Sequence, residues 1–177
     1  MNKEIYLMLK RRGYDVNEDI ITSTNEQFLL NKLDNSDRIF LFFPPASQKV
    51  GVNIIRQYIK EMKDNNVTRA ILIVKDSITA FAKQAFDKEK ELTFEYFNTK
   101  EFLFDKLSHV LVPKHELISQ EEKKELLSLY KIKEINLPKM LSSDAIARYF
   151  GASKGSVFKI TRTSETGGEY IYYRIVV

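Results

Sequence analysis

The sequence predicts an α/β N-terminal domain, with a mostly parallel sheet flanked by helices, followed by a small α+β C-terminal domain. Apolar runs alternate with segments of helical period up to about residue 107, a pattern typical of parallel strands joined by helical crossovers. After Ser108 the period changes, and two strands close the chain. Because 177 residues suit one large domain or two small ones, we place the domains at residues 1–108 and 109–177.

The N-terminal domain begins with a helix, a buried strand and a second helix. Residues 2–12 place three apolar side chains at helical spacing before Gly13, a residue suited to a helix C-cap. The apolar run 39–43 stops at two prolines, and its length and aromatic content favour a strand. The second helix is predicted from the spacing of Val52, Ile55, Ile59 and Met62.

Two further strands and two further helices complete this domain. The predicted strands are residues 69–74 and 92–97, and the predicted helices are residues 78–88 and 101–107. After the first helix the order is therefore βαβαβα. Parallel neighbours need such crossover helices, which leads to a mostly parallel sheet.

The C-terminal domain has its clearest signal at Ser119-Gln120-Glu121-Glu122, a capping box that predicts a helix through about Tyr130. A short helix is predicted for residues 144–150, with Ser142-Ser143 as candidate caps and Gly151 as its end. The predicted strands are residues 109–112, 156–163 and 169–177, the last two joined by a hairpin with paired glycines.

Cysteine is absent from the sequence, and there are two histidines, His109 and His115. This composition excludes a disulfide framework, a thiolate nucleophile, an iron–sulfur cluster and a cysteine zinc site, and it predicts a reducing compartment. We therefore expect no metal and no cofactor. Since no run approaches the roughly 18 apolar residues of a membrane span and no signal peptide is evident, we expect a soluble, intracellular protein without a membrane partner.

The charge balance is weakly basic. The chain has 28 Lys and Arg against 24 Asp and Glu, for a net charge of +4. Residues 1–108 hold 17 basic and 16 acidic side chains, and residues 109–177 hold 11 and 8, so the second part carries most of the excess. Because the excess is thin and interspersed, the sequence permits contact with nucleic acid but is not typical of a protein that binds DNA alone.

The N-terminal sheet carries no nucleotide-binding fingerprint, because neither GxGxxG nor GxxxxGK[ST] follows a predicted strand. Asp76 lies just beyond the carboxyl end of a strand, where open α/β sheets place ligands. A metal-dependent nuclease or nucleotide-processing enzyme is the alternative function, with only Asp37 and Glu95 as further candidate carboxylates. We favour Asp76, Ser77 or Thr79 as a helix cap.

No catalytic residue is predicted. His115 would suit a general base, but no serine or cysteine nucleophile with an oxyanion-type glycine turn accompanies it. Tyr170, Tyr172 and Tyr173 would suit base stacking, although aromatic residues are also ordinary in strands. We favour structural or interface roles for these side chains, and therefore a binding or assembly module over an enzyme.

The C-terminal domain carries five short motifs in a fixed order. They are Leu111-Val112-Pro113-Lys114-His115, Glu122-Lys123-Lys124-Glu125-Leu126-Leu127, Leu137-Pro138, Arg162-Thr163-Ser164-Glu165-Thr166 and Tyr173-Arg174-Ile175. In this order, and without a large gap, they closely resemble the assembly domain of the jaw subunit shared by eukaryotic nuclear RNA polymerases. This family, whose eukaryotic member is the fifth subunit, also has archaeal members.

The N-terminal domain resembles the eukaryotic jaw domain of the same subunit. The resemblance lies in Arg12-Gly13-Tyr14, Val50-Gly51-Val52 and the loop Ile78-Thr79-Ala80-Phe81-Ala82. Ala80 and Phe81 stand where the family pattern has proline and serine. Archaeal members lack this domain, and it is somewhat shorter here than in the usual eukaryotic member, which suggests a polymerase encoded by a large DNA virus as a source.

The resemblance implies a non-catalytic subunit of a multisubunit DNA-directed RNA polymerase that acts in transcription. Its C-terminal domain would dock on the largest subunit. Its N-terminal jaw would lie near downstream duplex DNA and contact it weakly and without sequence preference, or recruit transcription factors. The expected location is the nucleus, or a cytoplasmic viral factory or virion if the gene is viral. The expected site residues are Lys75, Thr79 and Lys83 near DNA, and Pro113, His115, Arg162, Ser164, Glu165 and Arg174 at the assembly interface.

Overall fold

Each of the two parts of the chain folds around its own four-stranded sheet. The computed structural model describes residues 3–16, 26–33, 37–45, 50–76, 78–89, 91–164 and 167–177. It divides the chain into an N-terminal unit, Met1–Phe104, and a C-terminal unit, Asp105–Val177. None of the helices in these described residues is long and apolar enough to cross a membrane.

The sheet of the N-terminal unit has the strand order β1-β2-β3-β4, with the last three strands parallel and β1 antiparallel to β2. This agrees with the mostly parallel sheet predicted. The strands are β1 (Gln27–Asn31), β2 (Arg38–Phe42), β3 (Arg69–Val74) and β4 (Thr93–Asn98). The helices are α1 (Lys3–Arg11), α2 (Val52–Asp64) and α3 (Ala80–Lys88).

Strand β1 was not predicted, because the segment lacks a clear apolar pattern. Leu30 is its one residue classed as buried, while Gln27 and Asn31 are exposed. Its pairing with the buried strand β2 comes from tertiary contacts, which override weak local preference.

One face of this sheet is covered by the two crossover helices. The ring of Tyr58 on α2 stacks on that of Phe42 on β2 at 4.1 Å between centroids. Phe86 on α3 packs against Phe94 on β4 at 4.3 Å. Both helices therefore bury their apolar stripes on the same side, because right-handed crossovers between strands in consecutive order place their helices on one face.

A buried ion pair joins the end of α1 to β4. Arg12, whose side chain is 2% exposed, places Nη2 at 2.7 Å from Oε2 of Glu95. Its guanidinium carbon lies 5.8 Å from the ring centroid of Phe97, and Arg69 reaches the other Glu95 oxygen at 3.6 Å. Gly13 follows with φ +80°, a conformation that costs glycine little, and this ends the helix as predicted.

The sheet of the C-terminal unit has the order β5-β7-β8-β6. Neighbours are antiparallel except β6 and β8, which are parallel. The strands are β5 (Lys114–Leu117), β6 (Lys139–Met140), β7 (Val157–Ser164) and β8 (Gly168–Val176). The helices are α4 (Gln120–Tyr130) and α5 (Ala145–Phe150).

Side-chain alternation along β7 and β8 divides their apolar residues between two cores. Val157 and Ile175 pack with Leu126 of α4, whereas their neighbours Phe158 and Val176 pack with residues of α5. Because successive side chains of a strand point to opposite faces, both faces of this sheet are covered.

Lys123 connects α4 to two other segments although its side chain is only 9% exposed. Its Nζ donates to the carbonyl oxygen of Gly155 at 2.8 Å and lies 2.9 Å from Oε1 of Glu134. A buried ammonium needs such partners, so this lysine of the Glu122–Leu127 motif is structural.

The prediction of a helix at residues 101–107 was wrong. The segment forms two separate 3₁₀ turns, Thr99–Phe102 and Lys106–Ser108. Asn98 caps the first turn through a capping box, and Asp105 caps the second. The second capping residue falls inside the predicted helix and interrupts it, because a capping side chain competes for the backbone N–H groups.

The prediction of a strand at residues 109–112 was also wrong. These residues form a turn before Pro113, and the strand begins at Lys114. Val110 and Leu111 are 97% and 83% exposed, so this apolar run is not buried and does not form a strand. The cap of α5 is Asp144, whose carboxylate accepts the Ile146 N–H at 2.8 Å, rather than Ser142 or Ser143.

We predict that Arg12→Ala destabilises the N-terminal unit by about 3 kcal/mol, because it leaves a largely buried carboxylate without its closest partner. Native-state hydrogen exchange of the β3 and β4 amides measures this loss. Lys10→Ala, at an exposed position of α1, is the control and should change the free energy of opening by less than about 0.5 kcal/mol. Equal effects of the two substitutions would contradict the role of the ion pair.

Candidate functional site

The three DNA-proximal residues predicted from the sequence lie in and after the connection between β3 and α3. Lys75 directly follows β3 and is exposed. Thr79 is the N-cap of α3, and Lys83 lies one turn further along the helix, also exposed. The fold therefore places them at the carboxyl end of a central parallel strand, where α/β sheets bind ligands.

The hydroxyl group of Thr79 is already engaged in the fold. Its Oγ1 accepts the Ala82 N–H at 3.3 Å and donates to the carbonyl oxygen of Val50 at 3.3 Å. Of the three residues considered as caps, Thr79 has this role, and Ser77 lies outside the described residues. Thr79 is therefore a positioning residue for the start of α3.

The two lysines differ in their surroundings. The Nζ of Lys83 lies 4.9 Å from the ring centroid of Tyr96 on β4, which holds the ammonium by a cation–π contact. The backbone of Lys75 and Asp76 is fixed by Asn98, whose Nδ2 donates to both carbonyl oxygens, at 3.3 and 2.9 Å. The side chain of Lys75 remains exposed.

The N-termini of α2 and α3 meet at this edge of the sheet. A parallel bridge pairs Val50 with Ile78, and Val50 also accepts the N–H of Thr79 at 3.3 Å. Gly51 is the N-cap of α2, and a Cβ added there would meet no atom within 4 Å. The N-termini of two helices therefore lie side by side, and there is open space at the N-terminus of α2. The backbone N–H groups of helix N-termini favour anions.

A second candidate surface lies on the C-terminal unit, on the face of the sheet that α5 partly covers. In the register of the strands, His115 pairs with Ile160, Arg162 with Tyr170, and Arg174 with Phe158. Paired residues point to the same face. Three residues predicted for the assembly interface are thus brought to one side of the sheet.

Four side chains on this side of the sheet form a continuous group. We call it the arginine–tyrosine face, and it consists of Arg162, Tyr170, Tyr172 and Arg174. The guanidinium carbons of Arg162 and Arg174 lie 5.4 and 5.7 Å from the ring centroid of Tyr172. The rings of Tyr170 and Tyr172 stack at 6.0 Å with 28° between their planes. A hydrogen bond with Tyr170 raises the pKa of Arg162, and the Tyr172 side chain adds to the effect.

His115 adjoins this face and is partly buried. Its Nδ1 lies 2.7 Å from the carbonyl oxygen of Pro113, and its ring meets the edge of Phe158 at 6.1 Å. Burial, together with the charges of Arg174 and Arg162, lowers the pKa of His115 more than the Pro113 hydrogen bond and Asp144 raise it. The imidazole is therefore neutral at physiological pH and donates its Nδ1 proton to Pro113.

Pro113 and Ser164 lie in a groove beside the arginine–tyrosine face. The groove is lined by the turn before β5 and by the hairpin ends of β7 and β8. Ser164 Oγ accepts the Gly167 N–H at 3.3 Å, which holds the hairpin loop. Glu165, the remaining predicted interface residue, lies outside the described residues.

The three tyrosines of β8, which the sequence suggests as one group, lie on two faces of the sheet. Tyr173 packs in the α4 core, while Tyr170 and Tyr172 lie on the opposite face. The period of two along the strand would have separated them. A platform of three tyrosines is excluded by this alternation.

The carboxylates considered for a metal-dependent enzyme do not converge in the described part of the chain. Glu95 is held by Arg12 and Arg69. In residues 3–16, 26–33, 37–45, 50–76, 78–89, 91–164 and 167–177, no group of three His, Cys, Asp or Glu side chains is placed to hold a metal ion.

The comparison with known proteins decides the family. The family "RNA polymerase Rpb5, C-terminal domain" matches residues 104–176. The whole chain is 43% identical to the Dictyostelium discoideum "DNA-directed RNA polymerases I, II, and III subunit rpabc1", of which it covers 95%. The chain belongs to the Rpb5 family.

Two further relatives match over the whole chain and over 94% of their own length. One is the Caenorhabditis elegans "DNA-directed RNA polymerases I, II, and III subunit RPABC1", at 35% identity. The other is the Arabidopsis thaliana "DNA-directed RNA polymerase subunit 5-like protein 1", at 32% identity. The predicted family and the prediction of a non-catalytic polymerase subunit are confirmed. The nuclease alternative gains no support, and a viral source remains a prediction.

In this Rpb5-family chain, one N-terminal motif has a structural explanation. Arg12 forms the buried ion pair with Glu95, and Gly13 ends α1. Tyr14 is 4% exposed and bridges to Lys32, and its burial raises the pKa of its hydroxyl group. The motif Arg12-Gly13-Tyr14 therefore stabilises the fold.

We predict that His115 makes the C-terminal unit less stable in mild acid. Because its pKa is lowered in the folded state, the unfolded chain binds a proton first as the pH falls below about 6.5. The free energy of unfolding therefore does not depend on His115 titration above about pH 6.5. It decreases as the pH falls below that value, until the pKa of the folded state is reached. Urea unfolding at pH 5 to 8, for the wild type and His115→Gln, gives a difference profile that isolates this residue. A flat profile, or one that rises toward acid, would contradict the prediction.

Proposed function

We propose that this chain is a subunit of a multisubunit DNA-directed RNA polymerase that docks on the largest subunit through its C-terminal unit. The observation that carries the proposal is the match over the full chain to relatives named as polymerase subunits. The C-terminal unit is also the part that matches the family description. The proposed location is the nucleus, or a viral factory or virion if the gene is viral.

The docking surface proposed is the arginine–tyrosine face with the adjoining groove at Pro113 and Ser164. Both arginines and Tyr170 are exposed. The partly buried Tyr172 packs between them and the apolar core below α5. Exposed arginines and tyrosines around an apolar centre are typical of protein interfaces.

The N-terminal unit is proposed to lie near downstream duplex DNA. Support comes from Lys75 and Lys83 beside the N-termini of two helices, where cations and backbone N–H groups point to one edge of the sheet. Such an arrangement contacts phosphates without reading bases. Recruitment of transcription factors by this edge is the other candidate role. A chain that is part of a large complex needs only weak contacts with DNA, because tethering raises its effective concentration.

We predict that the fragment 105–177 folds alone and co-purifies with the largest polymerase subunit, and that the fragment 1–104 does not. The reason is that the two units have separate sheets and cores. Circular dichroism checks folding, and co-expression with the tagged largest subunit checks binding. The full-length chain is the positive control. Binding by the fragment 1–104 alone would reverse the assignment of docking to the C-terminal unit.

We predict that Lys75→Ala with Lys83→Ala leaves assembly intact but shortens the lifetime of polymerase on downstream duplex, most clearly at low salt. Each lost phosphate contact should reduce the log–log salt slope by roughly 0.9. Lys60→Ala with Lys88→Ala removes the same charge from exposed positions away from the two helix N-termini. Lifetimes of the complex are measured over a salt series. If the two double variants shorten the lifetime equally, this edge of the sheet does not contact DNA. The alternative, in which it faces a protein partner, would then remain.

A further inference from the structure

We infer that the segment of the partner that docks on the arginine–tyrosine face is acidic, with two carboxylates that pair with Arg162 and Arg174. This inference rests on the proposed docking to the largest subunit and specifies the chemistry of the docked segment. The charges of this face, its geometry and its neighbouring groove each support it.

Among the described residues, neither arginine forms an ion pair with an acidic side chain. Ion pairs in the described part of this unit include those of Lys114 and Lys159 with Glu116, and that of Lys123 with Glu134. Arg162 interacts with Tyr170 and Tyr172, and both guanidinium groups are exposed. Two adjacent positive charges outside any ion pair favour a partner of opposite charge.

Glu169 lines the adjoining groove, and Asp144 acts on this region through its effect on His115. Its Oδ1 is occupied by the N–H of Ile146 at 2.8 Å, where it caps α5. This carboxylate therefore has a role in the fold and does not form an ion pair with either arginine.

The two guanidinium groups are held in place before any partner arrives. Since their carbons lie 5.4 and 5.7 Å from the Tyr172 centroid, they are at most about 11 Å apart. An extended peptide rises roughly 3.3 Å per residue, so carboxylates two to four residues apart reach both. The planar fork of arginine pairs with a carboxylate through two parallel hydrogen bonds. Because the tyrosines restrict the arginine rotamers, less entropy is lost on binding.

The same geometry disfavours nucleic acid as the occupant. Base stacking needs an open aromatic face, but the Tyr172 ring is contacted by Arg162, Arg174 and Tyr170. The neighbouring groove has a mixed lining, in which Val110 and Leu111 are 97% and 83% exposed beside Lys114 and Glu169. Exposed apolar side chains beside two arginines suit a peptide that carries apolar and acidic side chains.

The first experiment titrates the full-length chain onto polymerase assembled without this subunit. Arg162→Glu with Arg174→Glu should raise the Kd by at least about tenfold, and Arg162→Gln with Arg174→Gln should raise it less. The matched control is Lys124→Glu with Lys139→Glu, which makes the same charge change. Lys124 lies on α4, and Lys139 pairs with Ile175, so both belong to the opposite side of the sheet. Circular dichroism verifies that each variant is folded.

The outcomes separate this inference from the proposed function. If the wild type does not bind the polymerase, the proposed function fails. If the wild type binds and the arginine variants bind as the control does, only the acidic segment is refuted. The Gln variant keeps the test valid if charge reversal prevents folding.

The second experiment identifies the segment directly. A p-benzoylphenylalanine placed at Tyr170 in the assembled polymerase is irradiated, and the crosslinked peptide is found by mass spectrometry. We expect a peptide of the largest subunit with at least two Asp or Glu residues within five positions. A crosslink to a peptide without acidic residues, or to nucleic acid, would overturn the inference.

Discussion

The register of the β7–β8 hairpin is the constraint on which the C-terminal unit depends. The strands pair from Val157 with Ile175 to Ser164 with Gly168, and Gly168 adopts φ +70° at the end of the loop, where glycine is least strained. A slip by one residue would move every side chain to the other face. Phe158 and Ile160 would leave the α5 core, and the arginines would face α4. The same register therefore determines both the core and the candidate docking surface.

The elements predicted correctly from the sequence are those with strong local signals. The capping box at Ser119 forms as predicted, with the Glu122 N–H donating to Ser119 Oγ at 3.1 Å and the Ser119 N–H donating to the Glu122 carboxylate at 2.7 Å. Strand β3 has the predicted bounds, because five consecutive apolar or small residues after Arg69 are typical of a buried central strand. Errors occurred at residues 101–107 and 109–112, where apolar residues are common but burial depends on contacts distant in sequence.

The sequence predicts which residues belong to the candidate sites, but it does not predict how their side chains contact one another. Arg162 and Arg174 were named from the resemblance, yet their shared contact with Tyr172 depends on strand pairing, which the sequence does not show residue by residue. Thr79 was named both as a cap and as a DNA neighbour, and its two hydrogen bonds establish the first role. The buried Arg12 was named only as part of a motif, because a charged residue is rarely buried unless it is paired, and its partner lies 83 positions away.

The two units differ in which cationic side chains they expose. This difference favours a different kind of partner for each unit. In the N-terminal unit, Arg12 and Arg69 share the carboxylate of Glu95 within the fold, so the charge left at the sheet edge is that of a few exposed lysines. Lysine ammonium groups, which are compact charges on long stems, suit weak phosphate contacts that slide along a duplex. In the C-terminal unit, the cations at the surface are arginines fixed against tyrosine rings. Fixed, planar cations suit a partner that stays in one place, which is the behaviour expected of an assembly contact and not of a contact with moving DNA.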